Sequence, residues 1–375
     1  MTPAAPPKVG PKVAKVSRGR WWYAGVAALA ATAAGAAFLF YLGGFEYLLS
    51  GDSASFSVEL VLAQARAHPE ASVVVIGNST AAEGFRPNWF KSHASGAVAL
   101  DLGVPGGWIY LWQRLLETAI GAGVHPRAVV VMLTPEVVSA TDFDYLLNDL
   151  ALLKIVLDSG DLARLAAYAR TPRQYVDYAV PVLARPLLFR AEMRDFVYRP
   201  IRRLREAKHI HDWFRSFQQQ SPMIETNNEF SVCQAGPLNE LDKTIAKLRK
   251  ENSPLLPDFA RLQTGYAGRA RQTLRIDAYK TGRLRALLAE IAARHIAVYV
   301  TEAPFWDPNF DQYPESYRRD FSSAVRQVVE SVGGATLLPK LDVDCGMMLD
   351  TVHLNRKGGE IFTEYLAERL GPRVL

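Results

Sequence analysis

Four consecutive β-branched residues, Val73, Val74, Val75 and Ile76, followed at once by Gly77, Asn78 and Ser79, place the tightest constraint on this 375-residue chain. An unbroken run of this kind offers no polar face. The strand it predicts, over Ser72–Ile76, must therefore be covered on both sides, the condition of a parallel sheet held between helices. Gly77 lets the chain turn sharply where that strand stops.

Comparable apolar runs lie at Ala97–Leu102, Ala128–Leu133, Ile296–Thr301 and Ala335–Leu338, and helical patterns such as Trp108–Ile120 and Thr281–Arg294 alternate with them. The expected fold class is α/β: a flavodoxin-like, three-layer α/β/α domain with a five-stranded parallel sheet. In such sheets ligands bind at the carboxyl edge, where Ser79, Gly106 and the Thr134-Pro135-Glu136 turn would all emerge. A helix beginning after Ser79 would aim backbone N–H groups at an anion beside its hydroxyl. Taken alone, the serine reads equally as a helix N-cap.

Near the other end, Asp350-Thr351-Val352-His353 precedes Gly358, Gly359 and a helical pattern of Ile361, Phe362, Tyr365, Leu366 and Leu370. A serine attacks an ester only if a base takes its proton, and an imidazole does so best when a carboxylate holds its other nitrogen. A separation of three residues lets the Asp350 carboxylate reach the His353 ring.

These segments together resemble the SGNH, or GDSL-like, hydrolase superfamily. Gly77-Asn78-Ser79-Thr80 matches the first block, with asparagine in place of the family's aspartate, and Asp350 with His353 matches the last. Asp101-Leu102-Gly103-Val104-Pro105-Gly106-Gly107 is similar to the second block, whose glycine, here Gly106, donates an N–H to the oxyanion. The resemblance implies Ser79, His353 and Asp350 as catalytic residues, with the N–H groups of Ser79 and Gly106 as oxyanion donors. It breaks at the third block, where the family's asparagine side chain donates a further hydrogen bond. This chain has Thr134-Pro135-Glu136, with Pro135 at the asparagine position. Thr134 is the candidate third donor, and loss of one donor typically costs about 2.7–4 kcal/mol in the transition state.

With 49% hydrophobic and 22% charged residues, the chain can bury a sizeable core. Trp21–Leu42 contains no charge, and as a helix of about 33 Å it would cross a hydrocarbon core of roughly 30 Å. It is read as an N-terminal transmembrane helix. Lys8, Lys12, Lys15, Arg18 and Arg20 precede it, so residues 1–20 form a basic cytoplasmic tail and residues 43–375 an extracytoplasmic domain, periplasmic or extracellular. A cleaved signal peptide ending near Ala31-Thr32-Ala33 is the competing reading. The tail holds five of the 43 basic residues and no acid. The remaining 38 basic residues balance the 38 acids, and the net charge of +5 is no argument for nucleic acid.

Roughly 160 residues separate the third and fourth strands, far more than a crossover needs, so about 140–272 is expected to be a mostly helical insertion. Within it, Leu146, Leu147, Leu150, Leu153, Ile155 and Val156 have helical spacing. Arg199–Arg215 reads as a solvated basic helix or as a docking face for an anionic glycan, lipid headgroups or a membrane partner. Residues 218–258 read as a mobile surface loop around a short helix, Glu240–Lys250. Cys233 and Cys345 either pair or stay as buried thiols. No histidine or cysteine spacing suggests a metal, and the seven histidines are scattered apart from His209 and His211. Phe305, Trp306, Phe310 and Tyr313 either shape a pocket or pack on the sheet.

The resemblance implies acyl transfer through an ester on Ser79, without a cofactor. Attack by a sugar hydroxyl would make the protein an O-acyltransferase of a cell-surface glycan, working beside a multispanning membrane acyl-donor protein. Attack by water would make it a carbohydrate esterase. A non-catalytic glycan-binding or scaffold subunit is the reading from a different class.

Overall fold

The computed structural model describes residues 18–41, 55–140, 143–184, 187–220, 223, 225, 228–235, 240–266, 273–307 and 313–371. Its centre is a five-stranded, wholly parallel sheet of order β2-β1-β3-β4-β5, with β1 Val73–Ile76, β2 Ala99–Asp101, β3 Ala128–Leu133, β4 Ala297–Glu302 and β5 Ala335–Leu337. Register runs Val73 to Ala99 and Ala128, and Ala128 to Ala297. Side chains alternate across a strand, so the β-branched runs feed two cores. Val74, Ile76, Val129, Val131, Leu133, Val298 and Val300 join one, and Val73, Val75, Val130 and Met132 the other.

Helices cover both faces. In chain order they are α1 (Arg18–Tyr41), α2 (Phe56–Ala67), α3 (Ser79–Gly84), α4 (Pro87–His93), α5 (Ile109–Gly121), α6 (Tyr145–Leu153), α7 (Asp161–Tyr168), α8 (Pro172–Leu183), α9 (Arg190–Tyr198), α10 (Pro200–Gln220), α11 (Leu241–Lys250), α12 (Leu256–Tyr266), α13 (Ala278–Ala293), α14 (Glu315–Glu330) and α15 (Arg356–Leu370). α2, α5, α13 and α14 bury apolar stripes such as Leu284, Leu287, Leu288 and Ile291 in the first core. α4 and α15 supply Phe90, Phe362, Leu366 and Leu370 to the second. Each fully buried side chain of this size stabilises the fold by about 1.5–3 kcal/mol before entropy is counted.

From β1 the chain passes to β2 on one side, then crosses back to β3 on the other side of β1. The loops after β1 and β3 therefore diverge, leaving a crevice at the carboxyl ends of two neighbouring strands. Gly77 stands at this point for lack of space rather than for an unusual backbone angle. A Cβ there would lie 2.7 Å from the Ala81 Cβ and 3.1 Å from the Met132 carbonyl of β3.

Helices α6–α12 fall between β3 and β4. The chain leaves and re-enters side by side: Ser139 bridges to Ile276, Ala140 N–H donates to the Arg275 carbonyl and Asp277 N–H to that of Val138. Leu146, Leu150 and Leu153 are buried on α6, while Ile155 and Val156 follow its end. In α10, Arg203 is buried and paired with Asp195 and Glu206, and Trp213 lies 5.7 Å from the Phe56 ring of α2.

One expectation changes. The stretch read as a mobile loop is packed: Phe230, Val232, Leu241 and Ile245 join Phe259 and Leu262 in the second core, and Cys233 is disulfide-bonded to Cys345. Its polar composition hides this because only one side of each short segment is apolar. Trp21–Leu42, the expected membrane span, is helical as far as Tyr41; among the described residues no helix is long and apolar enough to cross a membrane. Trp22, Tyr23, Val26 and Leu29 of this helix are exposed. Leu42, the basic residues Lys8, Lys12 and Lys15, and Phe310 lie outside the described residues.

Candidate active site

Ser79 is the first residue of α3, directly after β1. Asn78 caps that helix: its carbonyl oxygen accepts from the Thr80 N–H at 3.0 Å and from the Thr80 hydroxyl at 2.9 Å. Those bonds fix the amide's orientation, so its NH₂ group donates to the Thr134 hydroxyl oxygen at 2.9 Å. Thr134 is thereby made an acceptor towards Asn78 and keeps its own proton for another partner.

The loop after η-turn Cys345–Met347 brings in the other two groups. His353 Nε2 lies 2.8 Å from Ser79 Oγ, and its Nδ1 lies 2.8 Å and 3.0 Å from the Asp350 carboxylate oxygens. An ionised carboxylate only accepts, which places the proton on Nδ1 and leaves Nε2 to accept from the serine. The backbone N–H groups of Val352 and His353 also donate to Asp350 at 2.9 Å and 2.8 Å. Burial alone would raise the Asp350 pKa. The His353 ring and these two N–H groups outweigh it and hold the carboxyl below its ordinary range. Around them the loop is closed by the Met348–Leu354 bridge and by Leu349 N–H donating to the His353 carbonyl, and Asn355 caps α15 through the Gly358 N–H.

Ser79 and His353 open into a cavity of about 200 Å³, with Asn78, Thr134, Pro135 and Glu136 on one side and Ala303, Pro304, Phe305, Tyr313 and Val352 on the other. Phe305 and Tyr313, 5.2 Å apart, are buried and also line the cavity, so both readings of the aromatic loop describe them. Trp306 N–H donates to the Thr351 carbonyl, tying that loop to the histidine loop.

Gly106 is not among the residues lining this cavity. It has a φ of +73°, a conformation natural to glycine, and its carbonyl accepts from the Asn148 side chain at 2.8 Å. Beside Asn148, the fully buried Asp149 carboxylate accepts from the Trp108 N–H at 2.8 Å and the Leu111 N–H at 3.0 Å. Trp108 offers no side-chain cap of its own, so Asp149 of α6 caps α5 from the insertion and clamps the segment that carries Gly106. Sequence reasoning missed both residues. The available signal was an Asn-Asp pair inside an otherwise apolar helix. Asp101, at the end of β2, accepts from the Gly103 N–H at 2.7 Å, and burial pushes its carboxyl from 3.8 up to about 7.

Among the described residues no group of three or more His, Cys, Asp or Glu side chains is arranged to hold a metal ion. No protein-family profile matches the sequence, and no curated protein does. The arrangement of Ser79, His353 and Asp350 is competent for nucleophilic chemistry: a hydroxyl, a neutral imidazole positioned to take its proton, and a carboxylate to stabilise the imidazolium.

Proposed function

We propose that this protein is a serine-dependent acyl-transfer enzyme acting on an extracytoplasmic glycan, an O-acyltransferase with an SGNH-type site. The observation that carries the reading is the continuous hydrogen-bonded series from Ser79 Oγ through the His353 ring to Asp350. The strand order, that of flavodoxin-like doubly wound sheets, supports it by placing Ser79 at the switch point.

In this reading Ser79 Oγ attacks the ester carbonyl while His353 takes its proton. The oxyanion is held by the N–H group of Ser79 and by the Thr134 hydroxyl, with the N–H of Gly106, which stands outside the cavity lining, as the further donor that the resemblance implies. His353 then protonates the leaving alcohol, and a sugar hydroxyl, deprotonated by the same imidazole, receives the acyl group. Attack by water at that last step would give an esterase instead.

Two observations support an extracytoplasmic, membrane-associated setting. The Cys233–Cys345 disulfide belongs to oxidising compartments. Exposed apolar side chains, Trp22, Tyr23 and Leu29 on α1 and Val176, Val180 and Leu183 on α8, offer surfaces to a bilayer or to a membrane-embedded acyl donor.

Treatment with a fluorophosphonate tests the nucleophile. Label is expected on Ser79 and absent in Ser79→Ala; label on another residue refutes the assignment. Incubation with p-nitrophenyl acetate and an oligosaccharide then separates transferase from esterase, by acetylated sugar or by free acetate alone.

A further inference from the structure

Glu136, which lines the Ser79 cavity, is hydrogen-bonded to a residue that lines a second one. Its backbone carbonyl accepts from Lys280 Nζ at 3.2 Å, and Lys280 lines a separate cavity of about 160 Å³ with Trp108, Tyr145, Tyr168, Tyr178 and Tyr279. Trp108 follows Gly106 by two residues, so this cavity sits against both loops that flank the proposed oxyanion site.

Its hydrogen-bonding capacity is unbalanced. Lys280 is only 4% exposed and has three N–H donors, of which the Glu136 carbonyl takes one. Its other neighbours are ring faces, with Tyr145 at 4.2 Å and Trp108 at 5.7 Å to the centroid, and it makes no ion pair among the described residues. The Trp108 indole N–H is buried and has no acceptor. The hydroxyls of Tyr168, Tyr178 and Tyr279, and Arg170 and Asp144 of the lining, are engaged, and the Gln174 side-chain carbonyl oxygen accepts from the Arg170 N–H. Tyr168 donates to Gln113, Tyr178 to Asp144, Tyr279 to the Tyr168 carbonyl, and Arg170 pairs with Asp277. Asp144, the carboxylate of the lining, accepts from the Leu146 and Leu147 N–H groups through its other oxygen. What remains without an ion pair or an acceptor is the buried Lys280 ammonium, with two N–H donors to spare, and the Trp108 indole N–H, an arrangement costly to leave empty. Aromatic faces surround it.

We propose that this cavity is a subsite for one sugar ring bearing a carboxylate. The carboxylate pairs with Lys280 Nζ and accepts from the Trp108 indole, and the apolar C–H face of the ring lies on the tyrosines. Lys280 is the cation of this lining without an ion pair, which suits a monoanion bound at its end of the cavity, and about 160 Å³ is below the ~300–1,000 Å³ of pockets that enclose drug-sized ligands, which suits a single ring. Resting on the acyl-transfer reading, the subsite would hold one residue of an acidic glycan while a neighbouring hydroxyl faces the acyl group on Ser79.

Saturation-transfer NMR titrations of the full chain, without acyl donor, with methyl glucuronide and methyl glucoside test the proposal. The glucuronide is expected to bind at least tenfold more tightly, and Lys280→Met to remove that preference with an unchanged melting temperature. Equal affinity for the two sugars, or binding of neither, overturns the proposal on the native protein alone. A preference that survives in a folded Lys280→Met protein overturns it as well. Fluorophosphonate labelling of the same preparation separates the two readings: glucuronide preference without Ser79 labelling leaves the subsite and removes acyl transfer, and the reverse removes the subsite only.

Discussion

The side-chain amide of Asn78 donates to the hydroxyl oxygen of Thr134 at 2.9 Å, across the gap between the ends of β1 and β3. An aspartate at position 78 could only accept, and the Thr134 proton would turn to it and leave the cavity. Asparagine after Gly77 and threonine before Pro135 are in this sense one device: the first sets the direction of the second's O–H.

Thr134→Val should therefore lower kcat for ester turnover about 10²–10³-fold, the effect of losing one oxyanion donor, with little change in KM. Asn78→Asp should fall in the same range, Thr134→Ser should retain most activity, and the Asn78→Asp, Thr134→Val double variant should be no worse than the poorer single. Additive losses would show that the two residues act separately.

Asp350→Asn keeps the size of the side chain but offers an NH₂ group or a neutral carbonyl where the imidazole needs an anion. Turnover of p-nitrophenyl acetate is expected to drop by about 10⁴-fold, because the ring loses both its tautomer and the charge that stabilises its protonated form. Activity within tenfold of the native protein would remove Asp350 from the mechanism.

Asp149→Asn keeps one acceptor and places a donor against one of the two buried N–H groups, that of Trp108 or that of Leu111. An unsatisfied buried donor costs about 1–3 kcal/mol, so the melting temperature should fall by a few degrees, and kcat should fall with it as the Gly106 segment loosens. Asn148→Ala, which removes only the bond to the Gly106 carbonyl, should lower kcat with a smaller effect on melting.

Asp101 predicts a pH effect of definite sign. Its carboxyl titrates near 7 in the folded protein and at 3.8 as the ordinary group, so the folded state holds more protons between those values. Stability then falls as pH rises through that window and is lowest above about 7. Asp101→Asn, which can still accept from Gly103, should lack this slope and exceed the native protein at pH 8 by on the order of a few kcal/mol. Denaturant midpoints of the two proteins from pH 5 to 8 measure it; parallel curves would refute the assignment.

The runs at β1 and β3 could be placed from sequence because continuous β-branched stretches have few other ways to be buried, and β3 keeps its expected bounds, Ala128–Leu133. β2 is shorter than expected, since Ala97 and Val98 are only half-buried at its entrance. The meeting of Ser79, His353 and Asp350 could be expected because a hydroxyl, an imidazole and a carboxylate in two local motifs are residue types that pair by hydrogen bonds. The place of Asp149 could not. Its partners, Trp108 and Leu111, lie about forty positions away and are backbone groups, which leave no mark in the sequence. The same holds for the insertion's packing: Phe230 and Ile245 are single apolar residues in polar surroundings, and only the fold brings them to one place.

The bond between Cys233 and Cys345 spans 112 positions and fastens the insertion to the chain just ahead of Asp350. Ser231 and Val232 reinforce the junction through the Cys345 and Met348 carbonyls. The insertion thus works as a splint for the imidazole's loop. Reduction of that one bond would unfasten the splint and let the His353 loop drift, with Ser79, His353 and Asp350 themselves chemically untouched.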